Sequence, residues 1–416
     1  METREARRFD LDWVRVGTVL MVFLYHSSLF FWTGWWYIKN AQTNAITDYF
    51  DNILGFWMMP LLFMVAGSAA WFSLRIRNTG KFTRERTLRL IVPFVFGLFV
   101  LIPPVTYLDR ISKGYFSGSF IQYYPHFFQG FYSLSGPSKG DIHSAHLWFL
   151  LYLFFISLIA LPVISWLKGD RGKRTIDWLA RFTTKPGAIY LYALPGILIS
   201  LALSPISTRT YLFILDWSYD LCVLCLFLFG FIYCMDGRFW VAVERHKIWS
   251  LGLALATTVI WISLWIKEVN TSPSYSLSQM PFTVLWVCTT WFYILTTLGY
   301  ARRYLNFSNR FLAYANEAAL PFYIFHLTVI VAVGFFVVQW NIGIWAKYLL
   351  IIVFSFAVIV LIYEFIIKRV NAIRFLFGMR SKPKIAPKRS GEKLAGELVV
   401  LSVCTMPRVQ SRFRYV

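Results

Sequence analysis

ILGFWMMPLLFMVAGSAAWF, Ile53 to Phe72, runs for 20 residues without a charged side chain. As a helix rising about 1.5 Å per residue, such a stretch covers the ~30 Å hydrocarbon core of a bilayer. In lipid, only a helix or a closed barrel satisfies its own backbone. The apolar residues here are continuous and do not alternate, which argues against a barrel strand. Nine further runs read the same way: Val16–Trp32, Leu90–Leu108, Leu147–Leu167, Ala188–Leu203, Trp217–Met235, Ile248–Ile266, Met280–Tyr300, Ala318–Trp340 and Tyr348–Ile367. The predicted fold is therefore all-α, a polytopic membrane helix bundle of about ten transmembrane helices. Ala188–Leu203 is the weakest run, being short and interrupted by Pro195. The charged stretch from Glu2 to Asp12 leads into a run long enough to span, so it reads as a first helix and not as a signal peptide.

Composition agrees. Of 416 residues, 58% are hydrophobic and 15% charged, too little polar surface for a soluble chain of this length. Aromatics reach 19%, suited to bundle interiors and interfacial belts. The net charge is +21, but its placement is uneven. With an inward N-terminus, the segments 1–15, 73–89, 167–187, 236–247, 301–317 and 368–416 carry 34 of the 41 Lys and Arg residues. Positive charge stays on the cytoplasmic side, so both termini are expected there, in a cell (inner) membrane. The excess thus reads as membrane topology and lipid-headgroup attraction, not as a nucleic-acid surface. Cys222 and Cys225 have C-x-x-C spacing, but on an apolar helix without a βαβ context, so no redox or metal role is expected.

One membrane domain, 1–385, precedes a basic tail, 386–416, read as mostly disordered. Two outward loops stand out by size: Thr33–Asn52 and Asp109–His146, the second rich in Tyr, Phe, Ser and Gly. Such side chains stack on sugars, and they equally suit a bilayer surface.

Ionisable residues inside a membrane are costly and mark function by default. The first helix carries Asp12, Arg15 and His26 in DLDWVRVGTVLMVFLYHSS. Asp12 and Arg15, three apart, share a face. Arg15 and His26, eleven apart, also face one way, roughly 16 Å apart along the axis. Alternatively, Arg15 snorkels to the interface and His26 bonds a neighbouring helix. Arg86 and Arg89 in KFTRERTLRLIVP suit a phosphate or pyrophosphate, or simply supply inward positive charge. In YANEAALPFYIFH, Asn316, Tyr323 and His326 lie near one face, while Glu317 lies on another. Glu364 is a further candidate, or else a salt bridge to Lys368. His146 opens HLWFLLYL at the outer interface, three residues after His143, and no third ligand sits at a spacing that suggests a metal.

Together these segments resemble the acyltransferase 3 family of membrane acyltransferases. The resemblance covers about residues 8–385 and rests on Arg15 and His26 within LDWVR…LYH, Arg86 and Arg89 in RTLRLIVP, MPLLFMVAGSAAWF, HLWFLLYL and the N…Y…H series of the ninth helix. HLWFLLYL, LIYEF and RFLFGMRSKPK are most similar to its periplasmic glucan succinyltransferase branch. The resemblance implies an enzyme that moves an acyl group from a cytoplasmic thioester to a hydroxyl of an exported or periplasmic glycan. On that expectation Arg15, Arg86 and Arg89 hold the phosphates of an acyl-CoA, succinyl-CoA or acetyl-CoA, used as co-substrate with no bound cofactor. His26 acts as general base or forms an acyl-histidine. Asp12 orients Arg15, while Asn316, Tyr323, His326, Glu317, Glu364 and His146 form the acceptor side or support it. Two other readings remain: a glycan or small-solute transporter, and a non-catalytic scaffold. Against the transporter stand the absence of an internal repeat and of paired broken helices.

Overall fold

In a computed structural model, the structure describes residues 7–133, 140–203, 216–266 and 280–381. The described residues up to Arg380 form one compact unit. The tail expected at 386–416 lies outside the described residues.

The unit is all-helical. Its helices are α1 (Phe9–Ser28), α2 (Ala45–Ile76), α3 (Thr79–Ser112), α4 (Phe120–Phe127), α5 (Ala145–Lys168), α6 (Asp170–Thr183) and α7 (Ala188–Leu203), then α8 (Trp217–Tyr233), α9 (Gly237–Ile266), α10 (Met280–Tyr304), α11 (Arg310–Val337), α12 (Ile344–Ile367) and α13 (Asn371–Leu376). Each of the ten apolar runs overlaps one of these helices, three of them running a few residues past the helix end. Among the described residues, seven helices are long and apolar enough to cross a membrane: α2, α3, α5, α9, α10, α11 and α12. α7 and α8 are shorter apolar helices, and α1 carries three charges in its first two turns. α7 opens as a tight 3₁₀ turn, Ala188–Ala193, which fits its broken apolar pattern.

The loop between α1 and α2, expected over Thr33–Asn52, is shorter than its hydropathy suggests, because α2 starts at Ala45. Asn44 caps that start, its side chain accepting the Ile46 N–H at 2.9 Å. The polar residues that hide this first turn are buried and bonded. Asp48 accepts the Thr33 N–H at 2.8 Å, and Ser28 donates to Asp51 at 2.5 Å.

α2 forms the centre of the bundle and α9 its edge: 72% of the apolar window is buried in α2 and 17% in α9. On α9, Trp249, Leu255, Val259 and Ile260 are exposed, as lipid-facing residues would be. α2 packs against α8, α1 and α10, and α11 packs against α1, α3 and α12. That leaves α1 lodged between α2, α10 and α11.

α3 contains two widened π-turns, Thr87–Ile91 and Gly97–Leu101. Each ends two residues before a proline, Pro93 or Pro103. Proline has no N–H and its ring crowds the carbonyl four residues back, so widening the turn relieves the clash. One such carbonyl, on Phe99, is taken by the Tyr124 hydroxyl at 3.0 Å. The other, on Arg89, faces Gly378, where an added Cβ would lie 2.7 Å from it. Gly378 has φ +68°, a left-handed conformation suited to glycine.

Candidate active site

Two helices build the site. α1 and α11 lie side by side and meet at two levels. At the lower level the Arg15 guanidinium donates to the side-chain oxygen of Asn316. At the upper level His26 Nδ1 and His326 Nε2 are 2.9 Å apart. Arg15 to His26 is eleven residues and Asn316 to His326 is ten, nearly equal rises. The helices therefore run parallel and in register, so the face shared by Arg15 and His26 is the face that meets α11.

The hydrogen bonds assign the ring protons. His326 Nδ1 lies 2.6 Å from the Tyr323 carbonyl, which can only accept, so that nitrogen carries a proton. In the neutral ring, His326 Nε2 is then an acceptor and receives the N–H of His26 Nδ1. The free lone pair of His26 is left on Nε2, the tautomer a base needs. His146 stands beside them, its ring centroid 4.9 Å from that of His326 and 6.5 Å from that of His26. Its Nε2–H donates to the Ile324 carbonyl at 2.9 Å, while Nδ1 is buried without a hydrogen-bond partner. The Tyr323 hydroxyl donates to the His146 carbonyl, tying the start of α5 to α11. Three histidines from α1, α5 and α11 thus share one patch, in which His146 and His326 are buried and His26 is half-buried.

Trp36, from the loop between α1 and α2, stacks on the His26 ring with centroids 5.6 Å apart and planes 17° apart. No sequence spacing links Trp36 to His26, because a loop's contacts depend on how the chain folds back.

At the other end, Arg86 and Arg89 lie on and beside the first π-turn of α3. The Arg86 guanidinium sits 5.0 Å from the Phe82 ring centre. Arg89 Nε donates to the Gly378 carbonyl at 3.2 Å. Arg89 is near enough to Arg15 for their charges to repel. Asp12 stands between Arg7, at 2.8 Å, and Arg15, at 3.8 Å. Glu317 pairs with Arg374 of α13 at 3.0 Å, and Glu364 with Lys368 at 2.7 Å. These two carboxylates are engaged in ion pairs and are not part of the histidine patch. His143 is turned away from His146: its Nε2 accepts the Tyr37 hydroxyl at 2.7 Å and its Nδ1–H donates to the Asp141 carbonyl at 3.1 Å.

This arrangement places His26, with its Nε2 lone pair free, about 16 Å along α1 from the Arg15 guanidinium. A family model described as an acyltransferase domain matches residues 8–364. The chain belongs to the acyltransferase 3 family. No curated protein and no solved structure matches it. The acyltransferase domain takes in all three histidines and Arg15, Arg86 and Arg89, and ends at Glu364. The segment 371–380, which supplies Gly378 and Arg374, lies beyond the match.

Proposed function

We propose that this membrane acyltransferase is an O-acyltransferase that moves a succinyl or acetyl group from cytoplasmic acyl-CoA to a hydroxyl of an exported or periplasmic glycan, in the manner of the glucan succinyltransferase branch. The observation that carries the reading is the 2.9 Å contact between His26 and His326 above the Arg15–Asn316 contact. The protein sits in the inner membrane with ten spanning helices and cytoplasmic termini, as the placement of Lys and Arg supports.

Arg15, Arg86 and Arg89 bind the donor phosphates at the cytoplasmic mouth, and the flexible arm of the donor carries the thioester toward His26. The sugar hydroxyl gives its proton to His26 Nε2 as its oxygen attacks the thioester carbonyl. The C–O bond forms, the C–S bond breaks, and the thiolate takes the proton from His26. As His26 becomes positive, His326 Nε2 accepts its Nδ1–H more strongly, and the Tyr323 carbonyl holds His326 in the required tautomer. Asn316 positions Arg15, and His146 and Tyr323 fix the outer end of the site.

The test uses purified, detergent-solubilised protein with radiolabelled succinyl-CoA or acetyl-CoA and a β-glucan acceptor. Alkali-labile label on the glycan, lost in His26→Ala by about 10²–10⁴-fold, supports the reading and identifies the donor. Full transfer by His26→Ala overturns the mechanism. Unmodified glycan crossing reconstituted vesicles, without label, would favour a transporter.

A further inference from the structure

Glu85, one residue before Arg86, is approached by three arginines. Arg77 Nη1 lies 2.5 Å from Oε2, while Arg380 Nη2 and Arg89 Nη1 lie 3.2 Å and 3.6 Å from Oε1. The three come from separate parts of the chain: the end of α2, the π-turn of α3 and the stretch after α13. Three guanidinium groups around one carboxylate leave two positive charges uncompensated. Unrestrained arginines would disperse into water, but these are anchored. Arg77 also donates to Ser73 Oγ at 2.9 Å, and Arg89 to the Gly378 carbonyl at 3.2 Å. The Arg380 carbonyl accepts Arg374 Nε at 2.9 Å, and Arg374 in turn pairs with Glu317. The carbonyl of Gly378, the Ser73 hydroxyl and the Arg374–Glu317 pair thus hold an over-charged cradle beside the arginines assigned to the donor.

We propose that Arg77, Arg89 and Arg380 form a phosphate subsite, in which the Glu85 carboxylate occupies the anion position until a phosphate-bearing ligand displaces it. A phosphomonoester carries about −1.5 to −2 charge and three acceptor oxygens, matching three guanidinium groups far better than one carboxylate does. Glu85 is about a quarter exposed, so it can swing outward when displaced. This deepens the donor reading and rests on it: the ligand is the phosphate-rich end of acyl-CoA, with Arg15 and Arg86 left for its remaining phosphates. It assigns a binding role to Arg380, outside the matched acyltransferase domain, and makes Glu85 a built-in competitor of the donor.

Binding of coenzyme A, and separately of inorganic pyrophosphate, is measured by titration calorimetry on the full-length protein in detergent. The variants are Arg380→Gln, Arg77→Gln and Glu85→Gln. Arg380 is largely exposed, so its substitution leaves the fold intact. The expected result is coenzyme A affinity roughly tenfold weaker in each arginine variant, the worth of one charge-assisted hydrogen bond. In Glu85→Gln, affinity is expected to rise, because a competitor is gone. If Glu85 served only to hold the arginines, its loss would weaken binding, and that result overturns the proposal. Coenzyme A binding unchanged in both arginine variants also overturns it while leaving the donor reading intact. Pyrophosphate binding that follows the same pattern, without coenzyme A binding, supports the subsite and counts against the donor reading. No binding of either probe overturns the subsite.

Discussion

His326 decides what His26 can do. A lone imidazole in a bundle interior can take either tautomer, but one whose Nδ1–H is committed to a neutral partner keeps its Nε2 lone pair free. Because His326 is itself fixed by the Tyr323 carbonyl, the pair acts as a unit. Replacing His326 with Gln should lower kcat while the donor KM stays near that of the native protein, with a smaller loss than in His26→Ala. Steady-state kinetics on both variants check this. A rise in donor KM without loss of kcat would place His326 in binding. Near the start of α5, burial between Tyr37 and the Asp141 carbonyl pushes the His143 imidazole down to about 4 from 6.5. A folded histidine that resists protonation binds fewer protons than the unfolded chain between those values. Stability should therefore fall as pH drops from about 6.5 toward about 4. Thermal melts across that range should show a shallower slope in His143→Gln.

Helix contacts, more than helix propensities, set the positions of the elements. α2 and α8 approach so closely that backbone meets backbone. A Cβ added at Gly67 would lie 1.8 Å from the Phe227 carbonyl oxygen, and one at Gly230 would lie 1.8 Å from that of Met64. Ser68 Oγ bridges the same seam, donating to the Gly230 carbonyl at 3.0 Å. Small residues at such crossings let helices pack where lipid gives little hydrophobic drive. Gly67→Val should abolish the monodisperse peak in size-exclusion chromatography. Gly252→Ala on the lipid-facing side of α9, with nothing within 4 Å of the new methyl, should leave it unchanged. In α3, Pro93 and Pro103 act differently, widening turns and freeing carbonyls. The freed Arg89 carbonyl is where Gly378 docks, so a helix irregularity fixes the place of the segment after α13.

Across the whole molecule, the histidine patch is joined to a buried ionic and aromatic layer through Trp36 and Tyr37, whose ring centroids are 5.1 Å apart, with Tyr37 6.3 Å from Tyr132. Arg110 of α3 holds Asp141 through Nε at 2.9 Å, and the Tyr123 hydroxyl donates to the same carboxylate at 2.6 Å. Tyr132 donates to Asp109 at 2.8 Å, and the Arg110 guanidinium lies 4.4 Å from the Tyr132 ring centre. Asp141 is fully buried and Arg110 nearly so. Removing one partner of a buried ion pair costs about 3–5 kcal/mol, because the other charge is stranded. Asp141→Asn should therefore lower the melting temperature clearly, and Arg110→Met with Asp141→Leu should recover part of the loss. Absence of any shift would mean that the layer is well solvated. Because Trp36 of this layer stacks on His26, loosening it should also reduce transfer activity.

Local pattern alone determined the membrane class, the ten apolar runs and the face shared by Arg15 and His26, since hydropathy and helical periodicity act within one segment. It also named the pairing of Glu364 with Lys368, one turn apart. Hydropathy hid the first turn of α2, because Asp48 and Asp51 are buried by partners that no window on the sequence contains. Only the tertiary structure decided that His26 meets His326, that His146 joins them, that Trp36 stacks on His26 and that Arg380 reaches Glu85. These pairs are separated by up to 300 residues. In a membrane the apolar face toward lipid and the apolar face toward a neighbouring helix read alike. Periodicity therefore says which residues share a face, and packing says what that face meets.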